Sequence, residues 1–234
     1  MGVDDIINAA KAGRYDDVAR LLDADPSLAN RGNMFGSQAI HAAWFGGHAK
    51  IVDLLVSRGV QLDGFLGAEL GMLDGVRAAI EADRGFAKTF SPAGSTALHR
   101  ACYWGQTAVA GALLDHGADA DIPTRDGFLQ IRPLGCAVAT PDVPNPSDRE
   151  DVVLELVRLL LRHGADVNGR RKDGLTALHS AAYRGHLAVI RALLERGADP
   201  ALRGFENGGP HAGQTARDMA LAQGQKAAAG LLPG

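Results

Sequence analysis

The chain has 234 residues and a formal net charge of −3, a balance that argues against non-specific nucleic-acid binding as its main activity. Hydrophobic residues make up 46% of the sequence and aromatic residues only 5%, which suits thin helices that pack closely. No apolar run approaches the ~18 residues that a membrane span requires, and the acidic start lacks the apolar core of a secretory signal. We therefore expect no membrane association and a cytoplasmic location.

The first segment, residues 4–30, contains two short helical patterns separated by a glycine. Ile6 and Ala10 lie on the apolar face of the first pattern, Gly13 interrupts it, and Leu21 and Leu22 lie on the apolar face of the second. The opposite side of both patterns is rich in aspartate. A polar outer face of this kind predicts a segment at the end of a row of similar segments.

A six-residue phrase recurs at the start of later helical patterns. It is Gly-Ser-Thr-Ala-Leu-His at 94–99, Gly-Leu-Thr-Ala-Leu-His at 174–179 and, more loosely, Gly-Ser-Gln-Ala-Ile-His at 36–41. A second helical pattern follows each phrase, and Gly-Ala-Asp closes two of the segments, at 117–119 and 197–199. This arrangement resembles the ankyrin repeat, whose unit is a β-turn finger followed by two antiparallel helices. The resemblance implies an all-α repeat solenoid, an ankyrin stack of helix–turn–helix units with short β-turn fingers.

The resemblance extends over residues 4–232, which we expect to form a single ankyrin-repeat domain of about seven units. Their predicted limits are 4–30 (N-terminal cap), 32–63, 64–91 (shortened), 92–123, 124–168 (with insertions), 169–202 and 203–232 (C-terminal cap). The spacing from His41 to His99 falls about eight residues short of two periods of ~33. The shortfall lies around residues 60–66, where we predict a stunted finger and a notch in the row.

Units five and seven depart from the pattern by insertion. Unit five is longer by about three residues in its finger, near Phe128, and by about eleven between its two helices. The second insertion contains three prolines within residues 141–146, which favour extended backbone. Unit seven begins with a long glycine-rich finger at 204–213 and has Arg217-Asp218 where other units have Leu-His, as expected of a cap.

The histidines His41, His99 and His179 occupy the same position in three units. In ankyrin repeats this histidine forms hydrogen bonds between neighbouring turns. Neighbouring helices lie about 8–10 Å apart, too far for one zinc ion with bonds of ~2 Å to collect them. We therefore predict no metal site and no cofactor, and only His211 lies outside what the repeat accounts for.

Signatures of catalysis are absent from the sequence. It contains no nucleophile elbow, no His-Glu-x-x-His pair, no Walker-type loop and no dinucleotide fingerprint. Cys102 and Cys136 lie within helical patterns, where we expect both to be buried. We expect Trp44, at a helix-packing position, to lie in the core, with stacking on a ligand as the alternative. No catalytic residue is predicted.

The fingers and the ends of the first helices line a concave groove in ankyrin repeats, and partners generally bind there. Transferred unit by unit, the resemblance predicts a binding surface formed by Met34, Phe35, Phe45, Tyr103, Trp104, Arg125, Phe128, Lys172, Tyr183 and Arg184, with Arg170 and Arg171 beside them. Aromatic residues and arginines dominate binding energy at interfaces. For Trp104, partial burial under the finger of unit five is the alternative.

These features predict a non-catalytic, monomeric protein-interaction module that holds a partner protein in the groove. Apolar and acidic groups on the partner would match the aromatic residues and arginines. The alternative is a small-molecule-binding protein or an atypical enzyme. Its pocket would be formed by the irregular fingers: the notch at unit three, the Phe128 finger, the proline-rich loop and the glycine-rich finger.

Overall fold

The computed structural model describes residues 2–32, 38–60, 62–125, 127, 130–138, 150–207 and 209–233. In this part of the chain the only β pairing consists of three isolated antiparallel bridges, between Gly32 and Gln38, Phe90 and Thr96, and Arg203 and Thr215. None of its helices is long and apolar enough to cross a membrane. The chain divides into an N-terminal body, Met1–Leu66, and a C-terminal body, Gly67–Gly234.

The N-terminal body is built from four helices. They are α1 (Val3–Lys11), α2 (Tyr15–Ala24), α3 (Ala39–Phe45) and α4 (Ala49–Ser57). The helices α1 and α3 pack together, and so do α2 and α4, while each pair in sequence folds back on itself. The apolar stripes therefore meet, and Ile6, Leu22, Ile40 and Leu55 are completely buried. Trp44 is half-buried, so the expectation that it lies in the core is only partly confirmed.

Helix α5 (Gly64–Leu70) spans the division between the bodies, and nine further helices follow it in the described chain. They are α6 (Leu73–Ala82), α7 (Ala97–Tyr103), α8 (Thr107–Asp115), α9 (Pro133–Val138), α10 (Glu150–Arg162), α11 (Ala177–Arg184), α12 (Leu187–Glu195), α13 (Ala216–Ala222) and α14 (Lys226–Gly230). The first helices of the units, α7, α9, α11 and α13, pack in succession, and the second helices form a matching row. The predicted all-α repeat class is confirmed.

The links between successive helix pairs differ in length. Residues 58–63 link α4 to α5, whereas residues 83–96 link α6 to α7 and residues 163–176 link α10 to α11. The short link cannot contain the finger that the others form. In the C-terminal body, Arg100 of α7 connects the end of α5 to the residues that link α6 to α7. Its guanidinium pairs with Glu69 and donates hydrogen bonds to Ser91 Oγ and Ser95 Oγ, both at 3.2 Å.

The recurrent histidines cap their own helices and reach the next unit. His179 Nδ1 accepts the Thr176 N–H at 3.2 Å, and its Nε2 lies 3.3 Å from the carbonyl oxygen of Gln214. His99 repeats both contacts, with Thr96 at 3.2 Å and with Ile131 at 3.1 Å. The hydrogen bond expected between neighbouring turns is confirmed at both residues.

Unit seven caps its first helix with a carboxylate instead of an imidazole. Asp218 Oδ2 accepts the Thr215 N–H at 2.9 Å, and the Thr215 hydroxyl donates to the same oxygen at 2.8 Å. These hydrogen bonds, above all the backbone one, lower the pKa of Asp218. The Leu-His replacement in the sequence therefore preserves the cap by different chemistry.

A side chain of one unit covers a glycine of the unit before it. Gly71 has φ +77°, and a Cβ built there would overlap the Gln106 side chain. Gln106 Nε2 donates to the carbonyl oxygen of Glu69 at 3.0 Å, which holds the side chain over the glycine. His48 lies over Gly13 in the N-terminal body in the same way, with its Nε2 3.1 Å from the carbonyl oxygen of Lys11.

Both cysteines are buried, as expected. Cys102 is completely inaccessible and Cys136 is 7% exposed. Burial raises the pKa of the Cys102 thiol well above its ordinary value, and the neighbouring Cys136 raises it further. A thiol that stays protonated is a poor nucleophile, so Cys102 acts as a small apolar side chain of the core.

Candidate functional site

The ends of the first helices place aromatic side chains at the surface of the C-terminal body. Tyr103 is the last residue of α7 and Trp104 is its cap, while Tyr183 and Arg184 end α11. Tyr103 and Tyr183 are each 39% exposed, because a glycine turn follows each helix end and no further helical turn covers them. Trp104 and Arg184 are half-buried.

Tyr103 and Trp104 form a pair. Their rings meet edge to face at a centroid distance of 5.8 Å, with planes 88° apart, a favoured aromatic geometry. The half-buried Trp104 ring therefore contacts the Tyr103 ring. The finger residues 126, 128 and 129 of unit five lie outside the described residues, so burial of Trp104 under that finger stays a prediction.

Arg184 brings its charge to the surroundings of Tyr103. Burial raises the pKa of the Tyr103 hydroxyl, Cys136 raises it further, and the Arg184 guanidinium opposes the rise. Helices α7 and α11 both pack against α9, which lies next to each of them. We group their C-terminal ends as the aromatic–arginine surface and define it as Tyr103, Trp104, Tyr183 and Arg184.

A cleft of about 180 Å³ adjoins this surface at its Tyr183 end. Leu175 and Met219 are each 3% exposed and form its apolar floor. Its other lining residues are Arg171, Ser180, Tyr183, Arg184 and His211. The His211 ring meets the Tyr183 ring edge to face at 5.8 Å. The cleft thus joins the end of α11 to the long finger of unit seven.

The fingers carry the predicted basic residues and are linked to one another. Arg125 stacks over the Phe90 ring at 3.8 Å, and its N–H donates to the carbonyl oxygen of Gly94 at 2.7 Å. Lys172 Nζ donates to the carbonyl oxygen of Gly127 at 2.9 Å. Both side chains are exposed, so both can also contact a partner.

Arg170 and Arg171 have different surroundings. Arg170 stacks over the exposed Phe205 ring at 4.9 Å. Arg171 forms a two-pronged ion pair with Asp173, with nitrogen–oxygen distances of 2.5 and 3.2 Å. Desolvation is the largest single influence on the pKa of Asp173 and acts to raise it, but the hydrogen bonds from Arg171 and from backbone N–H groups, together with the Arg171 charge, outweigh it and the pKa is lowered. The charge of Arg171 is therefore largely compensated within its own finger.

The remaining predicted residues cannot be joined to this surface. Phe45 ends α3 in the N-terminal body, where it is 41% exposed. Met34, Phe35 and Phe128 lie outside the described residues, as does the proline-rich loop at 141–146. Among the residues that the structure describes, no three His, Cys, Asp or Glu side chains come together as a metal site would require.

The glycine-rich finger of unit seven, one of the irregular fingers predicted to form a pocket, carries His211 to this cleft. None of the other predicted contributors to that pocket is among the described lining residues. The contact of His211 with Tyr183, and the contribution of Met219 from a different helix, were not predicted.

Comparison with known proteins identifies the repeat. The family model described as ankyrin repeats (3 copies) matches residues 6–126 and 150–232. The mouse B-cell lymphoma 3 protein homolog is 36% identical over 144 residues, which cover 60% of this chain and 29% of that protein. Mouse serine/threonine-protein kinase TNNI3K is 32% identical over 109 residues, covering 45% of this chain and 12% of the kinase.

A longer match is found in rice. The probable E3 ubiquitin-protein ligase XBOS32 is 26% identical over 221 residues, covering 87% of this chain and 40% of the ligase. This chain thus spans less than half the length of each of these three relatives. The helix pairs, the Thr-Ala-Leu-His phrase and the family match agree, and the chain belongs to the ankyrin-repeat family.

Proposed function

We propose that the chain is a non-catalytic protein-interaction module that binds a partner protein on its aromatic–arginine surface. Ankyrin repeats are generally protein–protein interaction modules. The observation that carries the proposal is the pair of exposed tyrosines, Tyr103 and Tyr183, at equivalent helix ends. Tyrosine and arginine are the residue types, with tryptophan, that most often dominate binding energy.

The charge of the surroundings supports a partner with acidic groups. Four basic residues lie on or beside the fingers. Arg125, Lys172 and Arg203 are exposed, and Arg125 and Arg170 stack on aromatic rings. The chain as a whole has a net charge of −3. A local excess of basic groups on an acidic protein attracts and orients an acidic partner. That Met34, Phe35, Phe45 and Phe128 also contact a partner stays a prediction from the resemblance.

The test is affinity capture from a native lysate with quantitative identification of bound proteins. We expect Tyr103→Ala/Tyr183→Ala to lose the specific partner by about tenfold or more, since each exposed anchor contributes on the order of 1 kcal/mol or more. The melting curve should stay close to that of the wild type, because both side chains are exposed at helix ends.

Tyr15→Ala is the matched control. Tyr15 has nearly the same exposure, 42%, but begins α2 in the N-terminal body. Its removal should leave capture unchanged. Equal capture by the wild type and the double variant would refute the assigned surface.

The wider predictions accompany this proposal. That residues 4–232 act as one domain, that the chain is monomeric and cytoplasmic, and that it does not bind nucleic acid all stay predictions. Binding of a small molecule is the second candidate function, and the cleft beside His211 is the observation that favours it. A small molecule recovered with the purified chain and lost in His211→Ala would support it.

A further inference from the structure

The cleft at the end of α11 has the size of one aromatic ring. Its volume is about 180 Å³, and an apolar cavity of about 150 Å³ holds one benzene molecule. The cleft therefore has room for a six-membered ring that carries one small substituent. It is too small for a folded element of a partner.

Rings and a thioether supply much of the lining. The exposed Tyr183 ring and the His211 ring both line the cleft and meet edge to face. Leu175 and Met219, each almost wholly buried, line it as well. A further aromatic ring suits these neighbours, because rings pack favourably edge to face and a thioether sulfur makes favourable contacts with a ring.

The two arginines of the lining are already engaged. Arg171 is paired with Asp173, and Arg184 takes part in a further interaction within the chain. Neither guanidinium therefore depends on a ligand carboxylate for a partner. The flat face of a guanidinium can still lie against a neutral ring, because stacking leaves its N–H donors in place. These surroundings favour a neutral occupant.

His211 adds one hydrogen-bond acceptor to the lining. Its Nδ1 lies 3.0 Å from the side-chain amide oxygen of Gln214. Because an amide oxygen can only accept, Nδ1 carries the hydrogen, and Nε2 of the neutral ring is then an acceptor. No group in the described part of the chain donates a hydrogen bond to that nitrogen. A ring that carries a hydroxyl group would supply the donor.

The finger that carries His211 is closed by backbone contacts. The Gly204 N–H donates to the carbonyl oxygen of Gln214 at 3.0 Å, and the Gly213 N–H donates to that of Gly204 at 3.1 Å. A Cβ built at Gly204 would lie 2.5 Å from the carbonyl oxygen of His211, so the two sides of the finger touch. Groups that are ordered before binding lose little entropy on binding, which favours recognition of one defined group.

We propose that this cleft receives a tyrosine side chain of the partner protein, with its ring against Tyr183 and Met219 and its hydroxyl donating to His211 Nε2. The proposal rests on the proposed function and names the residue that the partner brings to one end of the aromatic–arginine surface. Tyrosine fits better than phenylalanine, because phenylalanine would cover the His211 acceptor without giving it a hydrogen bond.

Two blocked tripeptides test the proposal on the full chain labelled with ¹⁵N at pH 7.5: acetyl-Gly-Tyr-Gly-amide and acetyl-Gly-Phe-Gly-amide. The pair differs by one hydroxyl group. We expect the tyrosine peptide to shift the amide signals of Ser180, Tyr183, His211 and Met219. The phenylalanine peptide should bind about two- to tenfold more weakly, the effect of one neutral hydrogen bond. His211→Phe keeps a ring beside Tyr183 but removes the acceptor, and it should abolish this preference.

His163→Phe is the matched control, since His163 is an exposed histidine just beyond the end of α10 and does not line the cleft. It should leave the preference unchanged. Equal binding of the two peptides, a preference that survives His211→Phe, or no shift up to tens of millimolar peptide would each overturn the proposal. Tighter binding of free p-cresol than of the tyrosine peptide would overturn the partner side chain in favour of a small phenol.

Failure of the cleft and failure of the proposed function give different results. If the tyrosine peptide does not bind but Tyr103→Ala/Tyr183→Ala loses its protein partner, the cleft assignment alone is wrong. If the peptide binds at the cleft while that double variant keeps its partner, the assigned protein-binding surface is wrong, whereas the preference of the cleft for a phenol ring stands.

Discussion

At the scale of single residues, the backbone conformation and the surroundings of a glycine decide whether it can be replaced. Gly71 adopts a left-handed backbone conformation, and the Gln106 side chain occupies the space that a Cβ would need. Gly111 lies inside α8, and nothing approaches within 4 Å of a Cβ built there. Two glycines in adjacent units are therefore subject to opposite physical constraints.

We predict that Gly71→Ala and Gly111→Ala change stability in opposite directions. Gly71→Ala should lower the free energy of unfolding by about 1–3 kcal/mol, the cost of a strained left-handed residue, with the displaced Gln106 adding to it. Gly111→Ala should raise it by up to about 1 kcal/mol, the difference in helix propensity. Urea denaturation of the two variants beside the wild type measures both, and a change of the same sign in both would contradict the prediction.

At the scale of the helical element, two kinds of N-terminal cap respond differently to pH. Burial lowers the pKa of His179 below 6.5, although its hydrogen bonds to the Gln214 and Leu202 backbone oppose this. The folded chain thus keeps His179 neutral, with Nδ1 accepting the Thr176 N–H. The cap of α13 uses Asp218, whose pKa is lowered from 3.8, and its contribution to stability is lost only below that value.

We predict that the free energy of unfolding falls as the pH is lowered through 6.5. The unfolded chain takes up a proton at His179 there, while the folded chain does so only at its lower pKa, so protons favour unfolding. Urea midpoints measured between pH 7.5 and 5 should show this decline. The slope should be shallower in His179→Gln, which cannot titrate.

Asp218→Asn is the control for this window. Asp218 stays ionised in both the folded and the unfolded chain above pH 5, so its replacement should lower stability without altering the slope. An unchanged slope in His179→Gln would show that other groups carry the pH dependence.

The periodicity of the sequence predicted the helices but not the contacts between their side chains. The distance from His41 to His99 indicated a shortened stretch around residues 60–66, because it falls short of two ordinary ankyrin periods. Tyr103 and Tyr183 could be placed at the surface because they precede glycine turns. The glycine-rich finger could be named as a candidate pocket wall from its extra length, but the contact of His211 with Tyr183 could not be predicted, since it depends on the path of a finger whose length varies without a pattern.

At the scale of the whole molecule, stability comes from contacts between neighbouring units. Helix α13 packs on α11, and α14 packs on α12 and α13. In such an arrangement each unit covers an apolar face of the one before it, so a terminal unit protects its neighbour from water.

We predict that deleting residues 203–234 destabilises the preceding unit most strongly. The deletion uncovers the faces of α11 and α12, and hydrogen exchange should become faster in those two helices than in α7 and α8, which lie further from the cut. The urea m-value should also fall, because less surface is exposed on unfolding. Deletion of residues 233–234 alone, which follow the buried Leu232, should leave exchange unchanged; uniform acceleration after the long deletion would contradict a nearest-neighbour account.

The side chains that lie over glycines have a consequence for how such a chain can be lengthened or rearranged. Gln106 needs Gly71 behind it, His48 needs Gly13, and Gln225 lies against Gly185 in the same manner. A unit duplicated or transplanted elsewhere would fit only if the unit before it offered a glycine at the matching turn. A substitution of the covering side chain should therefore be accompanied by a substitution of the glycine that it covers. Because the two residues of each pair belong to different units, such pairs determine which unit can follow which.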